Sequence, residues 1–151
     1  EKLGLNKLKN NKATELSGGE LQKVHIMKCL SKDAKVFALD EPSAFIDVED
    51  RLNVSKVIKD FVKQKDICAL IVDHDFQFID YLADTILIFE GIPGKSGKVD
   101  KPLKKEEGMN KILKILEITY RKDQETGRAR INKPNSQKDI QQKKDNNYYE
   151  L

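Results

Sequence analysis

The sequence predicts an α/β fold in which helices pack against a parallel sheet. Two short apolar segments predict strands, one at residues 36–39 and one inside "ICALIVDHD" at residues 67–75. Between them, apolar side chains recur with the period of a helix up to about Lys63. Alternating strands and helices are typical of parallel sheets, and fully apolar strands indicate burial on both faces.

The first helix is predicted to begin after Ser17, a good N-cap residue, and to end near Ser31. Its inward stripe is expected to contain Leu21, Val24, Met27 or Lys28, Cys29 and Leu30. Gly18 and Gly19 follow the cap directly, although glycine inside a helix costs about 1 kcal/mol relative to alanine. We interpret this turn as an anion site, because the Ser17 hydroxyl and the glycine amides lie at a helix N-terminus and glycine lets a phosphate approach closely.

The second helix is predicted from a capping start at residues 47–50 to about Lys63. Its apolar face consists of Val54, Val57, Ile58, Phe61 and Val62. A short helix at about residues 76–82 then leads from the second strand to a third strand at residues 85–89. Because crossovers between parallel strands are right-handed, the polar strand ends are expected at one edge of the sheet, where ligands bind.

The end of the chain differs in character. Residues 91–102 are turn-rich, and one more amphipathic helix is predicted at residues 109–120. Its inward positions are Ile112, Leu113, Leu116 and, as a further candidate, Ile115. From Arg121 on the chain is polar, so it is either disordered or packed across a partner or its own domain. We divide the chain into residues 1–100 and a C-terminal segment, 101–151.

The C-terminal segment is also the basic part of the chain. Residues 1–100 hold 15 Lys and Arg against 17 Asp and Glu, whereas residues 101–151 hold 13 against 8. Its basic residues include Arg121, Lys122, Arg128, Arg130 and Lys133, and they lie between the apolar helix and Tyr148–Tyr149. An acidic or nucleic-acid partner is therefore conceivable for this end only. We interpret residues 108–151 chiefly as a hinge, since that helix needs a surface to pack against.

Composition indicates a soluble cytosolic protein without a membrane partner. No apolar run reaches the roughly 18 residues of a membrane span, and no signal peptide opens the chain. The two cysteines, Cys29 and Cys68, each lie in an apolar run and lack metal-ligand spacing. We expect both to be free, buried thiols.

Polar residues at the ends of the two strands predict a phosphate site. Asp40 can hold Mg²⁺ directly or through water, and Glu41 can polarise a water for attack on a phosphate. His74 ends the second strand and can donate a hydrogen bond to a phosphate oxygen. Solvated acids or a structural histidine would explain each feature alone, but their shared edge favours a site. His25 has no such setting and is expected at the surface.

Three motifs occur in the order and spacing of one family. "LSGGELQKV", "VFALDEPSAFID" and "IVDHD" resemble the signature, the Walker B motif with its D-loop, and the switch-histidine motif of the ABC ATPases. "GMNKILKILEITYRKD" and "RARINKPNS" are similar to the C-terminal segment of the ribosome-recycling subfamily E, the RNase L inhibitor family. The resemblance runs from about Leu16 to the end of the chain. It implies the C-terminal portion of an ABC-type P-loop NTPase domain, the second of its protein, followed by a helical or irregular hinge.

The resemblance also assigns roles to individual residues. It implies that Ser17, Gly18, Gly19 and Glu20 grip the γ-phosphate of ATP bound on an opposite domain, and that Asp47 of the D-loop couples the two sites. It implies that Asp40 binds Mg²⁺ and that Glu41 and His74 are catalytic for the nucleotide of their own domain. Three residues depart from the family pattern: Asp73 replaces a glutamate, Lys23 an arginine and His25 a small residue.

The family further implies partners and a process. These are the small ribosomal subunit, release or ribosome-rescue factors, and the other nucleotide-binding domain of the same protein. The process is the splitting of ribosomal subunits after termination, with roles in initiation and ribosome biogenesis, in the cytoplasm and also in the nucleus. 4Fe-4S clusters are expected only in an N-terminal domain outside these residues. The alternatives are another ABC-type ATPase, such as a transporter or DNA-repair subunit, and an inactive ribosome- or RNA-binding module.

No P-loop sequence, G-x-x-x-x-G-K-[ST], occurs in the 151 residues. The nearest segment is "GIPGKS" at residues 91–96, whose glycines are two residues too close together. Turn-forming residues rather than a helix follow it, so we interpret this segment as a surface turn.

The isolated chain is therefore expected to have no significant ATPase activity, because a P-loop supplies most contacts to the phosphates. Phosphate release from the purified chain with Mg-ATP measures this. A turnover near that of an intact ABC ATPase, abolished by Glu41→Gln, would contradict the expectation.

Overall fold

The computed structural model describes residues 3–123 and 129–150, which fall into two compact units, Glu1–Leu82 and Ala83–Leu151. Arg128, one of the basic residues named above, lies outside the described residues. The functional division at residue 100 remains a prediction. Within the described part, no helix is long and apolar enough to cross a membrane.

The first unit alternates helices and strands, as the sequence predicts. Short 3₁₀ turns at Leu5–Leu8 and Ala13–Glu15 precede the regular elements. These are α1 (Gly18–Leu30), β1 (Val36–Asp40), α2 (Val48–Lys65), β2 (Cys68–Val72) and α3 (Phe76–Leu82). β1 and β2 pair in parallel, from Val36 opposite Cys68 to Asp40 opposite Val72. The α/β architecture with a parallel pair of strands is therefore confirmed.

The core of this unit lies where the three helices meet β1. Its buried side chains are Leu3, Ile26, Leu30, Phe37, Leu39, Ile46, Val54, Ile58 and Phe78. Phe37 of β1 contacts the edge of Phe61 on α2, with ring centroids 5.9 Å apart. The predicted face of α2 is confirmed, since Val54 and Ile58 are fully buried and Val57, Phe61 and Val62 pack against the core. In α1 the predicted stripe is partly wrong: Ile26 is buried and Met27 is exposed.

The strands of this pair are buried on one face only, so the predicted burial on both faces is wrong. Along β1, Phe37 and Leu39 are buried whereas Val36 is 64% exposed. Along β2, Leu70 and Val72 are also exposed. Successive side chains of a strand point to opposite faces, and the core of this unit covers only the side chains on one face. Cys68 lies on the exposed set, so its prediction as a buried thiol is wrong, while Cys29 is partly buried.

The predicted third strand at residues 85–89 is also wrong. Its residues divide between β3 (Thr85–Ile86) and β4 (Phe89–Ile92), which belong to the second unit. β3 pairs antiparallel with β6 (Leu103–Lys104), and β4 pairs antiparallel with β5 (Ser96–Val99). Residues 93–95 form the turn of this β-hairpin, and residues 91, 92 and 96 are the strand ends on either side of it. The interpretation of this exposed segment as a surface turn is therefore confirmed in its central residues.

The final helices and strands complete the second unit. α4 (Lys105–Ile115) begins and ends earlier than predicted, and it buries Gly108, Met109 and Leu113. Leu116 and Ile115 are exposed, contrary to the prediction. The helix lies so close to β3 that a Cβ on Gly108 would be 2.6 Å from Cβ of Ile86. Only glycine allows this approach without displacement.

The described part of the polar end, residues 121–123 and 129–150, is folded rather than disordered. β7 (Tyr120–Lys122) lies between β8 (Ala129–Ile131) and β9 (Tyr149–Glu150), and α5 (Gln137–Lys144) connects the last two. The rings of Tyr120 and Tyr149 are stacked, with centroids 5.7 Å apart. Of the three alternatives from the sequence, packing against its own domain is the one observed, within the second unit, and Tyr149 is the anchor.

Buried polar side chains hold this sheet and α5 together. The Thr119 hydroxyl donates to Oδ1 of Asp139 at 2.6 Å, and Asn132 Nδ2 donates to Oγ1 of Thr119 at 2.9 Å. Asn132 also donates to Oε1 of Gln142, whose amide nitrogen donates to the carbonyl of Tyr120. The Thr119 hydroxyl, with further help from the Asn135 amide and Lys143, holds the pKa of Asp139 below its ordinary value of 3.8.

Thr119→Val should destabilise the second unit by about 1–3 kcal/mol, because it leaves buried Asp139 without its principal donor. The lowered pKa of Asp139 stabilises the fold above the ordinary carboxyl pKa, and this stabilisation is lost as the pH falls through the folded-state pKa. In the variant that pKa rises, so acid unfolding should begin at a higher pH.

Urea unfolding at neutral pH, followed by an acid titration monitored by circular dichroism, measures both effects. Thr85→Val is the matched control, since Thr85 is exposed on a strand of the same unit. Equal destabilisation by the two variants would show that the buried contact contributes nothing specific.

Candidate functional site

The parallel register brings two of the predicted residues together at the carboxyl edge of the strands. Glu41 directly follows β1, and its amide donates to the carbonyl of Val72 at 2.7 Å. His74 follows β2, and its Nδ1 lies 3.7 Å from Oε1 of Glu41. Both side chains are more than half exposed, so a water or phosphate group can reach them. The arrangement can polarise a water and donate a hydrogen bond to an anion.

Glu41 also has an unusual backbone conformation. Its φ angle is 44°, in the left-handed region that non-glycine residues rarely adopt. Such residues cost about 1–3 kcal/mol and concentrate at functional sites, where the surrounding structure holds them. Two hydrogen bonds restrain this conformation. The Val72 carbonyl accepts the Glu41 amide, and the side-chain amide of Gln22 donates to the Glu41 carbonyl at 3.2 Å.

The end of β1 also carries the predicted magnesium ligand. Asp40 is exposed at this end of the strand. Among the described residues, no group of three or more His, Cys, Asp or Glu side chains could hold a metal ion by itself. Mg²⁺ typically binds through one or two carboxylates, with waters and substrate phosphates as its other ligands. Asp40, with Glu41 next to it, fits such a partial site.

A second link between the two strand ends was missed from the sequence. Asp73 accepts hydrogen bonds from the Ser43 hydroxyl at 2.7 Å and from the Ser43 amide at 3.0 Å. Ser43 is buried, so this carboxylate fixes the loop that follows Glu41. Asp73 is shorter than the glutamate that the resemblance implies at this position, and its side chain still reaches this loop.

A third link extends the connection to the start of α2. Arg51 donates to a carboxylate oxygen of Asp75 and, through Nε, to the carbonyl of Ile46 at 2.9 Å. Asp75 also accepts the amide of Phe78 at the start of α3. Asp47 is the N-cap residue of α2, but its side chain makes no capping hydrogen bond. The Asp47 carboxylate is therefore exposed at the end of the β1–α2 loop, which is held at Ser43 and at Ile46.

The turn before α1 has the predicted N-cap. The Glu20 amide donates to Oγ of Ser17 at 3.3 Å, and the Ser17 amide donates to Oε2 of Glu20 at 2.9 Å, which completes a capping box. The Ser17 amide and hydroxyl lower the pKa of Glu20. Glu20 therefore holds the serine side chain in place at an exposed helix N-terminus.

The two glycines have a structural role that the sequence did not reveal. A Cβ on Gly19 would lie 2.7 Å from the carbonyl oxygen of Phe45, whereas a Cβ on Gly18 would make an ordinary contact with the Phe45 side chain at 3.4 Å. Phe45 follows β1 by five residues, has a φ of 61° and is 81% exposed. Gly19 thus allows α1 to approach the loop between β1 and α2.

Two further residues of α1 can be compared with the sequence predictions. Lys23, where the resemblance implies an arginine, forms an ion pair with Asp50 of α2 at 2.8 Å. His25 is exposed, as expected.

Comparison with known proteins identifies the family. A family model described as "ABC transporter" matches residues 1–44. An uncharacterized ABC transporter ATP-binding protein of Methanocaldococcus jannaschii is 52% identical over 97% of this chain and 24% of its own length. ABC transporter E family member 1 of Arabidopsis thaliana is 43% identical over 99% of this chain and 25% of its own length. The chain thus spans about a quarter of these relatives.

Solved structures agree with these relatives. An archaeal ribosome recycling factor, aABCE1, in complex with the ribosomal stalk protein aP1 matches with a TM-score of 0.90 and 46% identity, over 99% of this chain and 29% of its own. A structure of ribosome-bound archaeal Pelota and ABCE1 matches with a TM-score of 0.91 and 45% identity, over 97% and 25% of the two chains. The chain belongs to the E subfamily of the ABC ATPases. This confirms the resemblance found in the motifs and implies ATP and Mg²⁺ as ligands of the family.

Gly19→Ala should destabilise the first unit by about 1–3 kcal/mol, because its Cβ would meet backbone rather than a movable side chain. Gly18→Ala is the matched control, since its Cβ meets only the Phe45 side chain at contact distance. Urea unfolding of both variants measures the difference. A Gly19→Ala variant as stable as Gly18→Ala would contradict the role assigned to this contact.

Proposed function

We propose that this chain is the part of a nucleotide-binding domain that carries the signature turn, the water-activating glutamate and the switch histidine of a ribosome-recycling ABC ATPase. The observation that carries the proposal is the 3.7 Å approach of Glu41 and His74 at the carboxyl edge of the parallel strands. Hydrolysis of a phosphoanhydride needs a group that orients the attacking water and groups that stabilise charge on the phosphate.

Each residue of this edge has one role in the proposal. Glu41 polarises the attacking water, and its fixed backbone aims the carboxylate. His74 donates a hydrogen bond to a phosphate oxygen beside it. Asp40 would hold Mg²⁺, which when bound neutralises negative charge on the phosphates. The P-loop that cradles this nucleotide is not among the 151 residues.

The signature turn serves a different nucleotide, held by an opposite domain. Gly18 and Gly19 would offer helix N-terminal amides to its γ-phosphate, and the Ser17 hydroxyl, which donates to Glu20 in this structure, would have to turn to the phosphate. Because the backbone of Phe45 lies where a Cβ of residue 19 would be, a shift of the turn would be transmitted to the loop that ends at Asp47. Asp47, whose side chain is not used for capping, reaches the opposite domain from there.

For the intact protein we propose the splitting of ribosomal subunits after termination, with contributions to initiation and ribosome biogenesis. Its partners would be the small ribosomal subunit, release or rescue factors and its other nucleotide-binding domain, and its location the cytoplasm, also the nucleus. The 4Fe-4S clusters would belong to another part of the protein. Two similar structures, of an archaeal recycling factor with a stalk protein and of a ribosome-bound complex of Pelota and ABCE1, support this assignment.

The C-terminal segment, residues 101–151, is proposed as a hinge that also contacts the ribosome. A cavity of about 460 Å³ in the second unit is lined by Arg121, Arg130, Lys133 and Lys138. Four cations around one cavity suit an anionic surface such as RNA. This observation favours the RNA-binding module as the second candidate, although that reading leaves the Glu41–His74 pair without a purpose.

Glu41→Gln in the intact protein should trap bound ATP and slow hydrolysis by roughly 10²–10⁴, because glutamine keeps the shape but does not act as a base. Single-turnover hydrolysis of radiolabelled ATP, together with the fraction of nucleotide retained as ATP, measures this. Glu106→Gln is the control, an identical chemical change at an exposed position of α4. Hydrolysis at the normal rate in Glu41→Gln would show that Glu41 has no catalytic role.

A further inference from the structure

A second cavity, of about 480 Å³, lies within the first unit around the start of β1. The site at Glu41 and His74 lies at the other ends of these strands. The cavity is bounded by the last residue of α1, the α1–β1 loop, Phe37 of β1, the C-terminal half of α2 and the residue before β2. No step of the proposed ATP chemistry uses it.

The inner wall of this cavity is apolar. It contains Leu30, Phe37, Phe61 and Ile67. Leu30 and Phe37 are almost completely buried, and the Phe37 and Phe61 rings meet edge to face. The size falls within the range of about 300–1,000 Å³ that is typical of ligand pockets. An apolar side chain that entered here would lose its contact with water against a preformed wall.

The rim of the cavity is cationic. Lys32, Lys35 and Lys65 line it together with a single acid, Asp33. All four residues are exposed, and none of the three lysines forms an ion pair with any residue in the described ranges. Lys65 lies in the last turn of α2, where a cation stabilises the helix end, but Lys32 and Lys35 lie in a loop.

We propose that this cavity is a docking site for an acidic peptide that inserts one bulky apolar side chain between flanking carboxylates. Phe61 and Ile67, the half-buried part of the wall, would contact the side chain, with Leu30 and Phe37 behind them. The three lysines would attract the carboxylates and set the direction of the peptide. A nucleic acid fits less well, because Phe37 is only 4% exposed and Phe61, the other aromatic side chain of the wall, is partly buried against it, which leaves little aromatic surface for a base to stack on.

The test measures binding of fluorescein-labelled peptides to the full chain by fluorescence polarisation, without nucleotide. The peptide DELFED should bind saturably, and DEAAED, which has the same charge but no bulky side chain, should bind at least about tenfold more weakly. Lys32→Glu with Lys35→Glu should weaken DELFED binding at least about tenfold, a difference of about 1.4 kcal/mol. Lys7→Glu with Lys9→Glu makes the same change of net charge at exposed positions away from the cavity and should have little effect.

Three results would overturn the proposal. The first is no saturable binding of DELFED, with circular dichroism establishing that the chain is folded. The second is an equal loss of DELFED affinity in the two double variants, which would mean that the net charge of the chain alone attracts the peptide. The third is binding of labelled hexauridylate as tightly as DELFED and with the same dependence on Lys32 and Lys35, which would make the cavity a nucleic-acid site. Since the probes contain no ATP, the result does not depend on the proposed ATPase function.

Discussion

The pairing of β1 with β2 is the interaction on which the candidate site depends. The last hydrogen bond of this pairing runs from the Glu41 amide to the Val72 carbonyl. Two side-chain contacts connect the loops beyond the sheet. Asp73 holds Ser43, and Arg51 joins Asp75 to the carbonyl of Ile46. The three contacts follow one another along the loop after β1 and the loop after β2, so they hold these two loops together at three successive points. The left-handed backbone of Glu41 is tolerable because these contacts restrain it on either side.

Much of the fold could be predicted because its signals are local. α3 has the bounds that the sequence indicated, and α1 begins at its predicted cap. The errors concern contacts between distant residues. A pattern of apolar residues could not tell that β3 and β4 would pair with later strands, nor that Val36 and Val72 would remain uncovered. The polar C-terminal segment was ambiguous because its stability comes from a buried hydrogen-bond network, which hydrophobic periodicity does not detect.

The site shows the same division. Glu41 and His74 could be placed on one edge from strand order alone, since parallel strands end together. Gln22 and Ser43 were not singled out, and Asp73 was noted only as a departure from the family pattern, because each acts through a partner 19 to 30 residues away. The glycine pair was recognised as unusual, but the sequence suggested only a close phosphate. The structure adds the nearby backbone of Phe45 as a second reason for glycine at position 19. The two explanations are compatible, because the Cβ position and the amide of a residue point in different directions.

The tyrosine stack gives the chain a built-in optical reporter. The sequence contains no tryptophan and four tyrosines, and only Tyr81 lies in the first unit. Tyrosine emission and the near-ultraviolet dichroic bands therefore come mainly from residues 120, 148 and 149. The asymmetric environment of the stacked rings exists only while β7 and β9 are paired. The near-ultraviolet tyrosine signal would consequently report the assembly of the last strands. A single tryptophan introduced before residue 83 would report the first unit at a separate emission wavelength.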